Sequence, residues 1–115
     1  MNRGEDLRRH HRMGVALEMR VRGMGRDGLP FDESTLSSDV SRGGCSFELN
    51  LEVDPAAQLE LEIYRRSSPR RPPIPFLTTG AVLRVIKLET DDWKVCVQFT
   101  GPQFPTYASE VTSSG

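Results

Sequence analysis

Apolar and polar side chains alternate along most of the chain. In residues 15–22, Val15, Leu17, Met19 and Val21 are apolar, and Glu18, Arg20 and Arg22 lie between them. A period of two is that of a half-buried strand, because successive side chains leave a strand on opposite faces. Met24 extends the stretch out of phase, and "RDGLP" then predicts a turn centred on Asp27-Gly28. Residues 35–41 alternate again, with Leu36, Ser38 and Val40 on one face and Thr35, Ser37, Asp39 and Ser41 on the other. Gly43-Gly44 separates them from 45–52, where Cys45, Phe47, Leu49 and Leu51 share a face. Leu59, Leu61 and Ile63 against Glu60 and Glu62 predict a fourth strand. Residues 76–88 include "AVLRVIKL", apolar on both faces, which predicts a more buried strand. "ETDD" turns the chain into a last strand, 93–100, closed by "GPQF". No ten-residue stretch carries a convincing 3.6-residue period with caps. The pattern predicts an all-β domain of about six antiparallel strands, a small barrel or sandwich.

Two segments fall outside this pattern. "RRSSPRRPPIP", 65–75, is too rich in proline for a ladder and predicts an extended, solvated hairpin loop with polyproline II character. The tail "PTYASEVTSSG", 105–115, has little apolar content and is expected to be disordered or a short edge addition. A length of 115 residues supports one compact domain, with 37% hydrophobic and 27% charged residues typical of a globular protein. Fifteen basic against sixteen acidic residues give a net charge of -1, which argues against a general nucleic-acid or anionic-membrane binder. No apolar run approaches the ~20 residues that cross a bilayer. The first residues, "MNRGEDLRRHHR", lack the apolar core of a secretory signal, so a cytoplasmic protein is expected.

Candidate chemistry is sparse. Cys45 alternates with the buried face of its strand and Cys96 with the outer face of the last one. A core thiol and a free surface thiol are expected, not a disulfide. His10 and His11 are adjacent, point to different sides in helix or strand, and have no nearby cysteine, so no metal site is expected. No serine sits on a nucleophile elbow. Asp91-Asp92 falls in a turn, and Glu60 with Glu62 on an outer face, the usual place for solvated carboxylates. Nothing here points to an enzyme.

Two polar clusters point to local anion recognition. In "RRHHR", Arg8 and Arg12 are four residues apart and share a side in a helix or an extended chain. Guanidinium forks bind phosphate and the guanine O6/N7 edge bidentately. In "DVSRGG", Asp39 and Ser41 are two apart, so a strand projects both onto one face. The carboxylate can accept from the N1–H and exocyclic N–H groups of guanine, and the hydroxyl can donate or accept. Gly43-Gly44 lets the backbone approach a ligand closely or take a positive φ. Taken singly, each cluster also fits a bland reading: a solvated arm, or a polar strand end feeding a glycine turn.

Their order and spacing change the balance. "RRHHR" followed, after 26 intervening residues, by "DVSRGG" in an all-β chain resembles the PilZ domain, whose two signatures are RxxxR and [D/N]xSxxG. The resemblance covers residues 8 to about 101 and implies a six-stranded antiparallel barrel that binds cyclic diguanylate (c-di-GMP). It implies that Arg8 and Arg12 hold the phosphates and guanines of the ligand from an arm, with Arg9 as a helper. It implies that Asp39 and Ser41 meet a guanine, and that Gly44 permits the tight turn beside them. The expected organisation is a flexible basic arm over 1–13, a barrel over 14–104, and the tail. Ligand binding would order the arm and change the surface offered to a downstream protein partner, with no cofactor, metal or membrane insertion involved. The family often carries a helix after its last strand, and the tail is a poor helix.

Two other functions fit parts of the sequence. The first is a nucleotide-independent interaction module on the same barrel, with "PRRPPIP" as a docking strip; it gives no reason for the chain to hold both signatures. The second is a single-stranded nucleic-acid binder, which needs aromatics on an exposed basic face. Phe47, Trp93 and Phe99 instead fall in phase with aliphatic core positions.

Overall fold

The computed structural model describes residues 16–65 and 68–105. Six strands follow in chain order: β1 (Glu18–Met24), β2 (Pro30–Ser41), β3 (Gly44–Leu49), β4 (Gln58–Arg65), β5 (Ile74–Lys87) and β6 (Trp93–Phe99). They close into a barrel in the order β1-β2-β3-β6-β5-β4, every neighbouring pair antiparallel. Closure removes the unpaired backbone edges that an open sheet would expose. The expected β1–β2 turn is present: Gly28, with φ 84°, donates its N–H to the Gly25 carbonyl, and Leu29 N–H donates to the Asp27 carboxylate.

The inward phase of each strand fills the interior. Met19, Val21, Phe47, Leu59, Leu61, Ile63 and Val95 are almost fully buried, and Cys45 joins them. The core does not end with β6. Phe104 is 2% exposed and packs edge-on against Phe76, ring centroids 5.2 Å apart, while the Arg65 guanidinium lies 6.0 Å from its ring centre. The chain is thus folded into the barrel as far as Phe104. Phe47 and Phe99 are buried as their phase predicts, but Trp93 is only partly buried and stands outside the core cluster, with Lys87 Nζ at 5.1 Å over its ring.

The structure corrects the sequence reading at two strands. In β2, Ser37 is buried and Leu36 is 53% exposed, the reverse of the expected faces. A β-bulge between Ser37 and Asp39 inverts the phase, so that Val40 is again inside. In β5, the apolar run is not buried on both faces, because a closed barrel has one interior; Leu77 and Leu83 are 60% and 63% exposed. A second bulge, between Val82 and Arg84, resets that strand's phase so that Val85 packs on the core. The proline-rich connection is exposed at Arg70 and Arg71, in keeping with a solvated loop, but it is shorter than expected: Arg65 pairs with Ile74 and Tyr64 with Pro75, so both ends of the 65–75 segment belong to the ladder. The tail beyond Pro105, and the arm up to Val15, lie outside the described residues.

Candidate functional site

Cross-strand pairing, read outward from β2, assembles one polar row on the barrel exterior. Asp39 of β2 pairs with Ser46 of β3, Ser46 with Cys96 of β6, and Cys96 with Arg84 of β5. Three interstrand spacings separate its ends, about 14 Å along the sheet. A neighbouring row joins Ser41, Gly44, Gln98 and Ala81. Together with Lys94, these positions other than Ala81 line an open cavity of about 430 Å³.

The bulges make this row possible. Counting inward positions from Phe31 through Ser37 on β2, strict alternation would aim Asp39 into the core. Counting from Phe76 through Val82 on β5 does the same to Arg84. Each residue directly follows a bulge, and an extra residue in a strand rotates the next side chain to the other face. Two local irregularities therefore turn one carboxylate and one guanidinium outward at opposite ends of the same row.

Of the two uses expected of Gly43-Gly44, a positive φ is not taken. Gly28 is the only described glycine with a positive φ, so the Arg42-Gly43 turn draws nothing from left-handed freedom. What Gly44 permits is close approach, since a Cβ there would collide with the carbonyl oxygen of Val97 on β6. The turn is tied down from the same side. The Gly43 and Arg42 carbonyls accept from the N–H groups of Phe99 and Phe104, at 2.8 and 3.1 Å. Ser41 Oγ donates to the Gly44 carbonyl at 3.2 Å, which holds its hydroxyl at the cavity rim.

The thiols divide as expected. Cys45 is buried, and burial pushes its thiol up to about 12, with Asp39 and Cys96 adding to the shift. Cys96 is partly exposed on the outer row, and both are free. Ser46, at 4% exposure, lines the cavity floor, and its Oγ has no hydrogen-bond partner among the described residues. At the edge of this site the chain enters β1: Leu17 N–H donates to Ser37 Oγ at 2.8 Å, and Ser37 N–H donates to the Leu17 carbonyl at 2.9 Å.

Of the residues expected to bind ligand, Asp39, Ser41 and Gly44 are brought together here. Arg8, Arg9 and Arg12 lie outside the described residues. Sequence reasoning missed Ser46, Arg84, Lys94 and Gln98. Ser46, Lys94 and Gln98 were accessible from the outward phase of their strands, but that phase does not say which strands lie side by side. Arg84 gave no signal, because its bulge cannot be read from alternation.

The family model of the PilZ domain matches residues 6–109, nearly the whole chain. The chain belongs to the PilZ domain family. Among solved structures, this PilZ domain is similar to the Bacillus subtilis inhibitor of motility (MotI/DgrA), with a TM-score of 0.63 at 18% identity. That match covers 91% of this chain and 46% of that one, so the domain spans about half of its length. It is also similar to the PilZ domain of Escherichia coli YcgR, a structure with c-di-GMP, at a TM-score of 0.48 and 12% identity over 91% of this chain and 84% of that one. At 18% identity the likeness to the motility inhibitor is one of fold. No curated protein matches the chain by sequence.

Proposed function

We propose that this PilZ domain is a c-di-GMP receptor without catalytic activity of its own, acting in the cytoplasm. The observation that carries the reading is the convergence of Asp39, Ser41 and Gly44, the whole second signature, on one open cavity. Membership of the PilZ family and the order of the two signatures support it. The Asp39 carboxylate suits the N1–H and N2–H donors of a guanine, and Ser41 suits a further contact beside it.

The first signature complements this from the chain's entry. Leu17 is bonded to Ser37, two residues before Asp39. Arg12 precedes Leu17 by five residues, so no more than about 18 Å of extended chain separates them. Arg8, Arg9 and Arg12 then reach the cavity from the β1–β2 side and clamp phosphates and guanine edges. In this proposal residues 1–13 form the arm, 14–104 the barrel and 105–115 an appended tail. Ligand draws the arm onto the barrel, and the rearranged surface is what a downstream protein partner reads.

Calorimetric titration of the full chain with c-di-GMP tests this. Saturable binding at micromolar ligand is expected, weakened in Arg12→Ala and in Asp39→Ala. No binding by the parent chain would overturn the reading. Undiminished binding by both variants would overturn the site.

A further inference from the structure

The cavity carries more charge than the two signatures account for. Arg84 and Lys94 line it from β5 and β6, opposite Asp39. Neither has an ion pair or a hydrogen bond among the described residues, although Glu48 is the cross-strand neighbour of Lys94. Arg84 owes its outward direction to the bulge after Val82. Between the two ends of the row sits Ser46, whose buried hydroxyl lacks a partner among the described residues. A buried unpartnered hydroxyl lowers stability, so its place on the floor of a polar cavity calls for a ligand atom.

We infer that Arg84 and Lys94, with the Ser46 hydroxyl, form a phosphate-binding wall built into the barrel itself. The inference rests on the c-di-GMP reading and extends it. A nucleotide lying across the strands with its guanine on Asp39 places its phosphodiester over β6 and β5. There the guanidinium and ammonium meet the charged oxygens, and Ser46 Oγ donates into the cavity. The ligand is then gripped from two sides, by the arginines of the arm and by this wall. The carboxylate at one end and two cations at the other also fix its direction across the sheet: an anion is repelled at Asp39 and attracted at Arg84 and Lys94.

Titrations with c-di-GMP of the parent chain, Arg84→Ala, Lys94→Ala, Ser46→Ala and Arg70→Ala test it. Arg70 lies in the exposed β4–β5 loop, ten or more residues along β5 from the wall, and controls for the loss of one positive charge. Arg84→Ala and Lys94→Ala are each expected to weaken binding about tenfold, with Arg70→Ala unchanged. Ser46→Ala separates a ligand group from a structural one. A structural hydroxyl would lower the melting temperature when removed, whereas here the melting temperature of the ligand-free chain holds or rises while affinity falls. If the parent binds and Arg12→Ala weakens it, but Arg84→Ala or Lys94→Ala stays within about threefold of the parent, the wall is overturned and the receptor reading stands. If the parent does not bind, both fall together.

Discussion

On the β1–β4 side of the barrel, Arg20 donates from Nε and Nη2 to the two oxygens of the Asp32 carboxylate, each at 2.8 Å. Beside it Arg22 lies 3.3 Å from both Glu60 and Glu62, and Tyr64 OH donates to Glu62. On the β5–β6 side, Arg84 and Lys94 face a cavity with no such partner among the described residues. Both sides are exposed, antiparallel and rich in charge, so composition does not separate them. Register does. On β1 the arginines are flanked by acidic positions of both neighbouring strands, while Arg84 pairs with Cys96, and Lys94 forms no ion pair among the described residues although Glu48 is its cross-strand neighbour. Exposed pairs of the first kind contribute little to stability. Convergent cations of the second kind serve an anion from outside.

The comparison can be broken in stages. The largest effect is expected at Gly44, where the binding side depends on close approach of β3 and β6. Gly44→Ala should cost about 2–3 kcal/mol of stability, seen as a lower denaturation midpoint, because the new methyl group meets backbone and not a movable side chain. Next comes Asp39→Ala, expected to weaken c-di-GMP binding 10- to 100-fold, about 1.4–2.8 kcal/mol, with little change in melting temperature. A loss of stability without loss of binding would make Asp39 a structural residue.

A third effect lies beneath the same side. The Cys45 thiol is raised from 9.0 to about 12 in the folded chain. Its contribution is therefore fully present below pH 9 and is lost as pH rises toward 12, since the unfolded thiol ionises first. The unfolding free energy should fall through that window by up to about 1.4 kcal/mol per pH unit, seen as lower denaturation midpoints, and Cys45→Ala should flatten the fall. At neutral pH a thiol reagent should label Cys96 and spare Cys45 until the chain unfolds, and bound c-di-GMP should slow that labelling. The smallest effect belongs to the other side. Arg20 holds the Asp32 carboxyl below its ordinary value of 3.8 by hydrogen bond, so the pair's contribution is present above that pH and fades as pH falls. Arg20→Ala should move the melting temperature by no more than a few degrees and leave nucleotide affinity untouched.

How much of this was legible beforehand follows from the same contrast. Strands with unbroken alternation, such as Cys45–Leu49 or Leu59–Ile63, announced their inner faces, and with them the core. The second signature was legible because Asp39 and Ser41 stay in phase with each other after the bulge. The face of Leu36 and Ser37 was not, because the bulge that inverts it leaves no mark on the pattern. The run around "AVLRVIKL" misled for a related reason: its apolar side chains suggested two buried faces, and only closure of the sheet into a barrel decides that one of them is open. Arg84 was hidden twice, by its own bulge and by a β5–β6–β3 pairing that joins residues far apart in the chain. Binding sites assembled by register are invisible until the register is known.

The central claim is that the cavity bounded by Asp39 and Arg84 is where this PilZ domain holds c-di-GMP. Chemical-shift mapping of the full chain during titration with c-di-GMP tests it most directly. The account predicts saturable shifts at Asp39, Ser41, Gly44, Ser46, Arg84, Lys94 and Cys96, with Arg20, Arg22, Glu60 and Glu62 unmoved. Absence of shifts at saturating ligand, or shifts centred on the β1–β4 side, would contradict it.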